Sequence, residues 1–128
     1  MKQEDKELLL KDLCGWLPSG VKCDMGLDYP LPLQRLFVDE LDGILLDFYE
    51  DGKDYQVYLS EVRPYLFPLS SMTKEQSKVY HELIGGMFGT SALVNFEVLT
   101  DFFNTNHLDY RGLISMGLAL DATGLNIY

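Results

Sequence analysis

Three runs rich in aliphatic and aromatic residues, Leu33–Leu41, Ile44–Glu50 and Tyr55–Ser60, are separated by Asp42-Gly43 and by Asp51-Gly52-Lys53-Asp54. Asp-Gly between two such runs is among the stronger short-range hairpin signals, because its glycine accepts a positive φ without steric cost. The middle of the chain therefore reads as an antiparallel β-meander. In the second run Ile44, Leu46 and Phe48 share one face while Asp47 sits on the other. In the third, Tyr55, Val57 and Leu59 stand against Gln56, Tyr58 and Ser60. This alternation predicts a sheet with one buried and one wet face. A strand at Val21–Cys23 and a continuation through Glu61-Val62-Arg63 would curl the meander into a small SH3-like barrel.

Helices are expected on both sides of the meander. Over residues 4–17, Leu10, Leu13, Cys14 and Leu17 fall at i, i+3, i+4 and i+7, widened by Leu9 and Trp16. Glu4, Asp5, Lys6, Glu7, Lys11 and Asp12 fill the opposite face, and Pro18-Ser19-Gly20 ends the helix. Asp28-Tyr29-Pro30-Leu31-Pro32 is expected to be irregular, because each proline removes a donor and restricts its predecessor. Thr73-Lys74-Glu75-Gln76 is a capping-box pattern that opens a second helix carrying Val79, Tyr80, Leu83 and Ile84 as far as Gly85-Gly86. Met87–Thr90 reads as a connection. From Ser91 a third helix is expected to run to about Thr105, with Leu93, Phe96, Leu99, Phe102 and Phe103 on one face and a short helical turn following near Gly112–Met116. The whole, residues 1–128, reads as one α+β domain: an N-terminal helix, the meander, then two to three C-terminal helices covering the buried sheet face.

Composition narrows the function. An apolar share of 47%, with seven Phe, eight Tyr and one Trp, supplies a core. A formal net charge of −10 argues against direct binding to nucleic acid or to an anionic membrane surface. The excess is concentrated. Residues 24–61 hold ten acids against Arg35 and Lys53, a net of −8, whereas residues 1–23 are balanced at four of each sign. Aspartates in turns and on a wet face keep a sheet soluble. The sharper reading is an acidic surface, with Asp39, Glu40, Asp47 and Glu50 at its centre, that meets a basic partner or imitates a nucleic-acid backbone to inhibit a DNA- or RNA-handling protein.

Signs of catalysis are sparse. Cys14 and Cys23 make no disulfide framework, and His81 and His107 are far apart with no paired cysteine nearby, so neither metal nor cofactor is expected. Cys14 reads as a small apolar residue on the buried helix stripe. Gly85-Gly86-Met87-Phe88-Gly89-Thr90 lacks the Lys-Ser/Thr ending of a phosphate-binding loop. A hydrolase or transferase would need a concave pocket in which His81 or His107 meets a carboxylate. No apolar run approaches the roughly 18–20 residues of a membrane span, and the opening residues lack the build of a signal peptide, which points to the cytoplasm.

Two polar clusters are candidate contact sites. Arg63-Pro64-Tyr65-Leu66-Phe67-Pro68, with prolines four apart, reads as an extended strap with Tyr65 and Phe67 packed beneath it, or as a binding lip. Asn104-Thr105-Asn106-His107-Leu108-Asp109-Tyr110-Arg111-Gly112 closes a helix. There His107 is placed to contact the last carbonyls, Asp109 to cap the following turn, and Arg111 to pair within the cluster. Arg63, Tyr65, His107, Asp109, Tyr110 and Arg111 are thus the binding candidates. The segments from Arg63 to Thr73 and from His107 to Ala119, with Asn104, resemble a family of small uncharacterised proteins common in gut bacteria and their prophages and other mobile elements. Phe67 stands where that family commonly has arginine, and Asn106 where a second histidine often precedes His107. The resemblance implies a bacterial cytoplasmic accessory protein acting on host or mobile-element machinery. The expectation is a non-enzymatic interaction or regulatory protein whose partner is another protein, with pairing of the meander's free edge to a second copy an open possibility.

Overall fold

The computed structural model describes residues 2–39, 43–88 and 96–128. Helix α1 spans Gln3–Trp16, with Glu4 and Asp5 in its first turn where the helix dipole favours acids. It buries Leu9, Leu13 and Trp16, spaced at i, i+4 and i+7, together with Asp12. The buried stripe is therefore rotated from the expected one: Cys14 is exposed, and Asp12 is buried although it was expected among the solvated residues. Trp16 and Leu9 present more apolar surface than Leu10 and Cys14, and the helix turns the larger area inward.

Strands β1 (Lys22–Asp24), β2 (Leu31–Asp39), β3 (Gly43–Glu50), β4 (Lys53–Tyr58) and β5 (Arg63–Pro68) follow. The meander is β2-β3-β4, antiparallel throughout, with Leu36 opposite Leu46 and Leu46 opposite Val57. The second hairpin is tighter than expected. Glu50 pairs with Lys53, and the turn is Asp51-Gly52 alone, both at positive φ (48° and 81°), the backbone of a two-residue hairpin. Pro32, expected to be irregular, lies inside β2 opposite Lys22. On its other side β1 meets Pro64, so this three-residue strand is flanked by prolines in both neighbours, and neither can donate to it.

The strap of residues 63–68 is a strand of the sheet. Its side chains alternate differently from the expectation, with Pro64 and Leu66 buried and Tyr65 and Phe67 only half-buried. Two short parallel strands, β6 (Leu108–Asp109) and β7 (Leu120–Asp121), pair with β5. The sheet order is β4-β3-β2-β1-β5-β6, with β7 also on β5, and β4 pairs with β3 alone. The sheet is open, and the closed barrel is not formed among the described residues.

Helix α2 (Lys74–Phe88) begins with the expected capping box: Gln76 N–H donates to Thr73 Oγ1 at 3.1 Å, and Thr73 N–H to Gln76 Oε1 at 2.9 Å. It continues through Gly85-Gly86, which were expected to stop it; a helical glycine costs only about 1 kcal/mol relative to alanine. Helix α3 is Phe96–Thr105, and the expected start at Ser91 lies outside the described residues. The core joins α1 to the inner face of the sheet through Val21, Leu33, Leu46, Phe48 and Leu66, and is closed by Leu113, Leu118 and Ala119 from the turns before β7. Among the described residues α1 packs its buried face on the sheet, and α2 packs on α3, where Tyr80 meets Phe103 at 6.0 Å between ring centroids.

Candidate functional site

The segment after α3 is the better satisfied of the two candidate regions. His107 takes the left-handed conformation (φ 55°) that ends a helix, its N–H donating to the Asn104 carbonyl at 3.2 Å. Its ring does not reach the carbonyls of α3. The Nε2 atom lies 2.7 Å from the Ser19 carbonyl oxygen, and Asn106 Nδ2 donates to Phe102 O instead. Asp109 caps as expected and twice over. It is buried, Oδ1 accepts from Leu113 N–H at 2.8 Å, and Oδ2 accepts from Ile114 N–H at 2.9 Å. Tyr110 stacks on Phe103 at 5.0 Å and meets Trp16 edge-on. Arg111 lies over the Tyr110 ring within the cluster, 5.4 Å from its centroid, and makes its ion pair outside it. Its Nε donates to Asp12 Oδ1 at 2.6 Å, tying the segment to α1. Burial lifts the Asp12 carboxyl above the ordinary carboxylate range, against the pull of Arg111.

Tyr128 completes this side. Its ring stacks on His107 at 3.9 Å and lies 5.8 Å from Phe67. Its hydroxyl accepts from Lys22 N–H at 2.7 Å and donates to Tyr65 O at 2.8 Å, bridging β1 and β5 just beyond their paired residues. Tyr65 thus contributes its main chain. Arg63 is exposed and lies 3.7 Å from Asp24. Burial lowers the affinity of the His107 ring for a proton, and neighbouring Lys22 adds to this. The fold prefers neutral His107, so its contribution to stability is complete above the unfolded pKa of about 6.5 and is lost as pH falls below that value. Thermal melts of the wild type and His107→Gln should therefore diverge between about pH 7.5 and pH 5, the wild type losing more on acidification. Parallel curves would refute this.

The acidic surface divides differently. Asp39 is the last residue of β2, opposite Gly43, and Glu40 lies outside the described residues. Glu50 accepts a hydrogen bond from Tyr29 at 2.6 Å; that bond, with some desolvation and the nearby acids, raises the Tyr29 hydroxyl to about 12. Asp47 is a correction: its side chain is 1% exposed and is not surface. Arg35, directly opposite on β2, donates to its Oδ2 from Nε at 2.8 Å and from Nη2 at 2.5 Å. Gln56 lies opposite on β4, so Arg35, Asp47 and Gln56 form one row across the second face of the meander. The next row is Phe37, Leu45 and Tyr58. Leu45 is buried, so this face is partly apolar rather than simply wet. Tyr49 and Tyr58 share it and are 54% and 45% exposed. A groove of about 490 Å³ is lined by Gln34, Arg35, Phe37 and Gln56, with Leu17 and Leu36.

Sequence reasoning did not single out Arg35, Tyr128 or Asp12. Arg35 had a signal, as one of only two bases among ten acids; counting outward from the hairpin places it opposite Asp47. The histidines meet main-chain carbonyls, Ser77 O for His81 and Ser19 O for His107. Among the described residues no group of three or more His, Cys, Asp or Glu is arranged to hold a metal ion, and no helix is long and apolar enough to cross a membrane. Comparisons of the chain with protein-family models, with curated proteins and with solved structures find no match.

Proposed function

We propose that this is a non-enzymatic interaction protein that binds a basic protein partner through the second face of its meander. The observation that carries the reading is the pair of half-exposed tyrosines, Tyr49 and Tyr58, on a sheet face within the region of net charge −8. Exposed aromatic side chains anchor protein interfaces, and surrounding acids steer a basic partner toward them. The candidate residues after α3 support this assignment by having structural work: Asp109, Tyr110 and Arg111 are used in capping, stacking and pairing. The reading places the protein in the cytoplasm, in keeping with its free thiols Cys14 and Cys23. The resemblance of its two motif segments to proteins of gut bacteria and their mobile elements fits an accessory role on host or element machinery, and a nucleic-acid-handling protein is one basic partner it would inhibit.

The test is capture from native lysate by purified protein in low salt and at about 0.5 M salt, where exposed charges are screened within a few ångströms. A basic partner held at low salt and released at high salt is the expected result. A partner held equally in both overturns the electrostatic part, and no partner in either overturns the reading.

A further inference from the structure

Among the described residues, three buried side-chain atoms have no hydrogen-bond partner: Asp12 Oδ2, Trp16 Nε1 and Asp47 Oδ1. The first two are an acceptor and a donor four residues apart on α1. Asp47 Oδ1 has no such counterpart. Arg35 spends both of its contacts on Oδ2, although a carboxylate accepts on both oxygens and arginine commonly binds both together. A buried acceptor without a donor is unfavourable, and an incoming donor removes that cost.

We propose that Asp47 is the receptor for one lysine or arginine side chain of the protein partner, taken into the groove beside Arg35 and bonded to Oδ1. This rests on the reading of the meander as the partner-binding face. Arg35 and Gln56, the two residues that flank Asp47 in its row, line the groove, and its volume is ample for one long side chain. The Arg35 side chain is 67% exposed, so it has room to shift while it stays bonded to Oδ2. Phe37 lines the groove, and an aromatic face attracts a cation. The charge balance on this face also selects the ligand. Asp54, exposed and opposite Tyr49, is the diagonal neighbour of Asp47 on the same face. Two carboxylates against one guanidinium leave room for one further positive charge, and the surrounding acids repel an anionic ligand. The carboxylate would then sit between two cations, Arg35 on Oδ2 and the partner on Oδ1.

The experiment is a nitrogen-15 NMR titration of the whole chain with acetyl-Gly-Lys-Gly-amide and acetyl-Gly-Arg-Gly-amide, with acetyl-Gly-Gln-Gly-amide as the uncharged control. Single side chains bind in the millimolar range, so about 10 mM peptide suffices. The basic peptides should shift the Asp47 and Gln56 amides and the Arg35 Nε–H, and the glutamine peptide should not. In Asp47→Asn, checked for an unchanged melting profile, affinity should fall about tenfold, the size expected for a lost charge-assisted hydrogen bond. Shifts elsewhere, equal shifts with the glutamine peptide, or undiminished binding in a folded Asp47→Asn would overturn the proposal. Should Asp47→Asn not fold, the wild-type shift pattern with its uncharged control decides. The two readings fail separately. A salt-sensitive partner without peptide shifts at Asp47 sinks this site alone, and peptide shifts without a partner sink the broader reading.

Discussion

Arg111→Ala should lower the unfolding free energy by about 3 kcal/mol and the melting temperature by about 10 °C. Asp12 lies on the buried face of α1 with its side chain 1% exposed, and its hydrogen bond comes from Arg111 Nε. Removing the guanidinium leaves a buried carboxylate with no partner on either oxygen. Breaking such a pair from one side costs roughly 3–5 kcal/mol, and the partial exposure of Arg111 places this case at the lower end. Asp12→Asn in the same background should recover part of the loss, because the stranded charge is gone while the side chain's shape is kept. Urea unfolding of the two variants checks this. A loss below about 1 kcal/mol for Arg111→Ala would mean that the pair is no stronger than an exposed one.

Asp109→Ala should cost about 2–4 kcal/mol, because two main-chain donors, Leu113 N–H and Ile114 N–H, lose their acceptor at once. Those donors open the turns that carry Leu113, Leu118 and Ala119 into the core, so a loosened cap reaches the packing under the sheet. Asp109→Asn keeps one acceptor oxygen and should cost about half as much. Hydrogen exchange separates the local effect from the global one. The Leu113 and Ile114 amides should lose protection beyond what the change in global stability explains. Equal protection loss throughout the chain would contradict the capping role.

What was legible in the sequence was what local chemistry decides. The meander followed from Asp-Gly and a period of two, and its inner face of Ile44, Leu46 and Phe48 is the one turned to the core. The capping box at Thr73 and the cap at Asp109 are short-range hydrogen bonds, and both form. The illegible parts are contacts between residues distant in sequence. Asp12 reads as solvated because its partner, Arg111, lies 99 residues away. Asp47 reads as surface because its burial depends on the strand register that sets Arg35 above it. His107 reads as a helix-end residue, and only the fold brings Ser19 O and Tyr128 to its ring. Arginine and tyrosine at such junctions mimic the composition of a binding site while serving the core.

On the proposed function, the segment after α3 is scaffold and the second face of the meander is the binding surface. The most direct test compares capture of the low-salt partner by the wild type and by Tyr49→Ser/Tyr58→Ser. Both tyrosines are about half exposed, and neither belongs to the core, so the double variant should melt close to the wild type. The double variant should lose the partner. Capture at wild-type level by a folded Tyr49→Ser/Tyr58→Ser protein would contradict it and move the interface elsewhere.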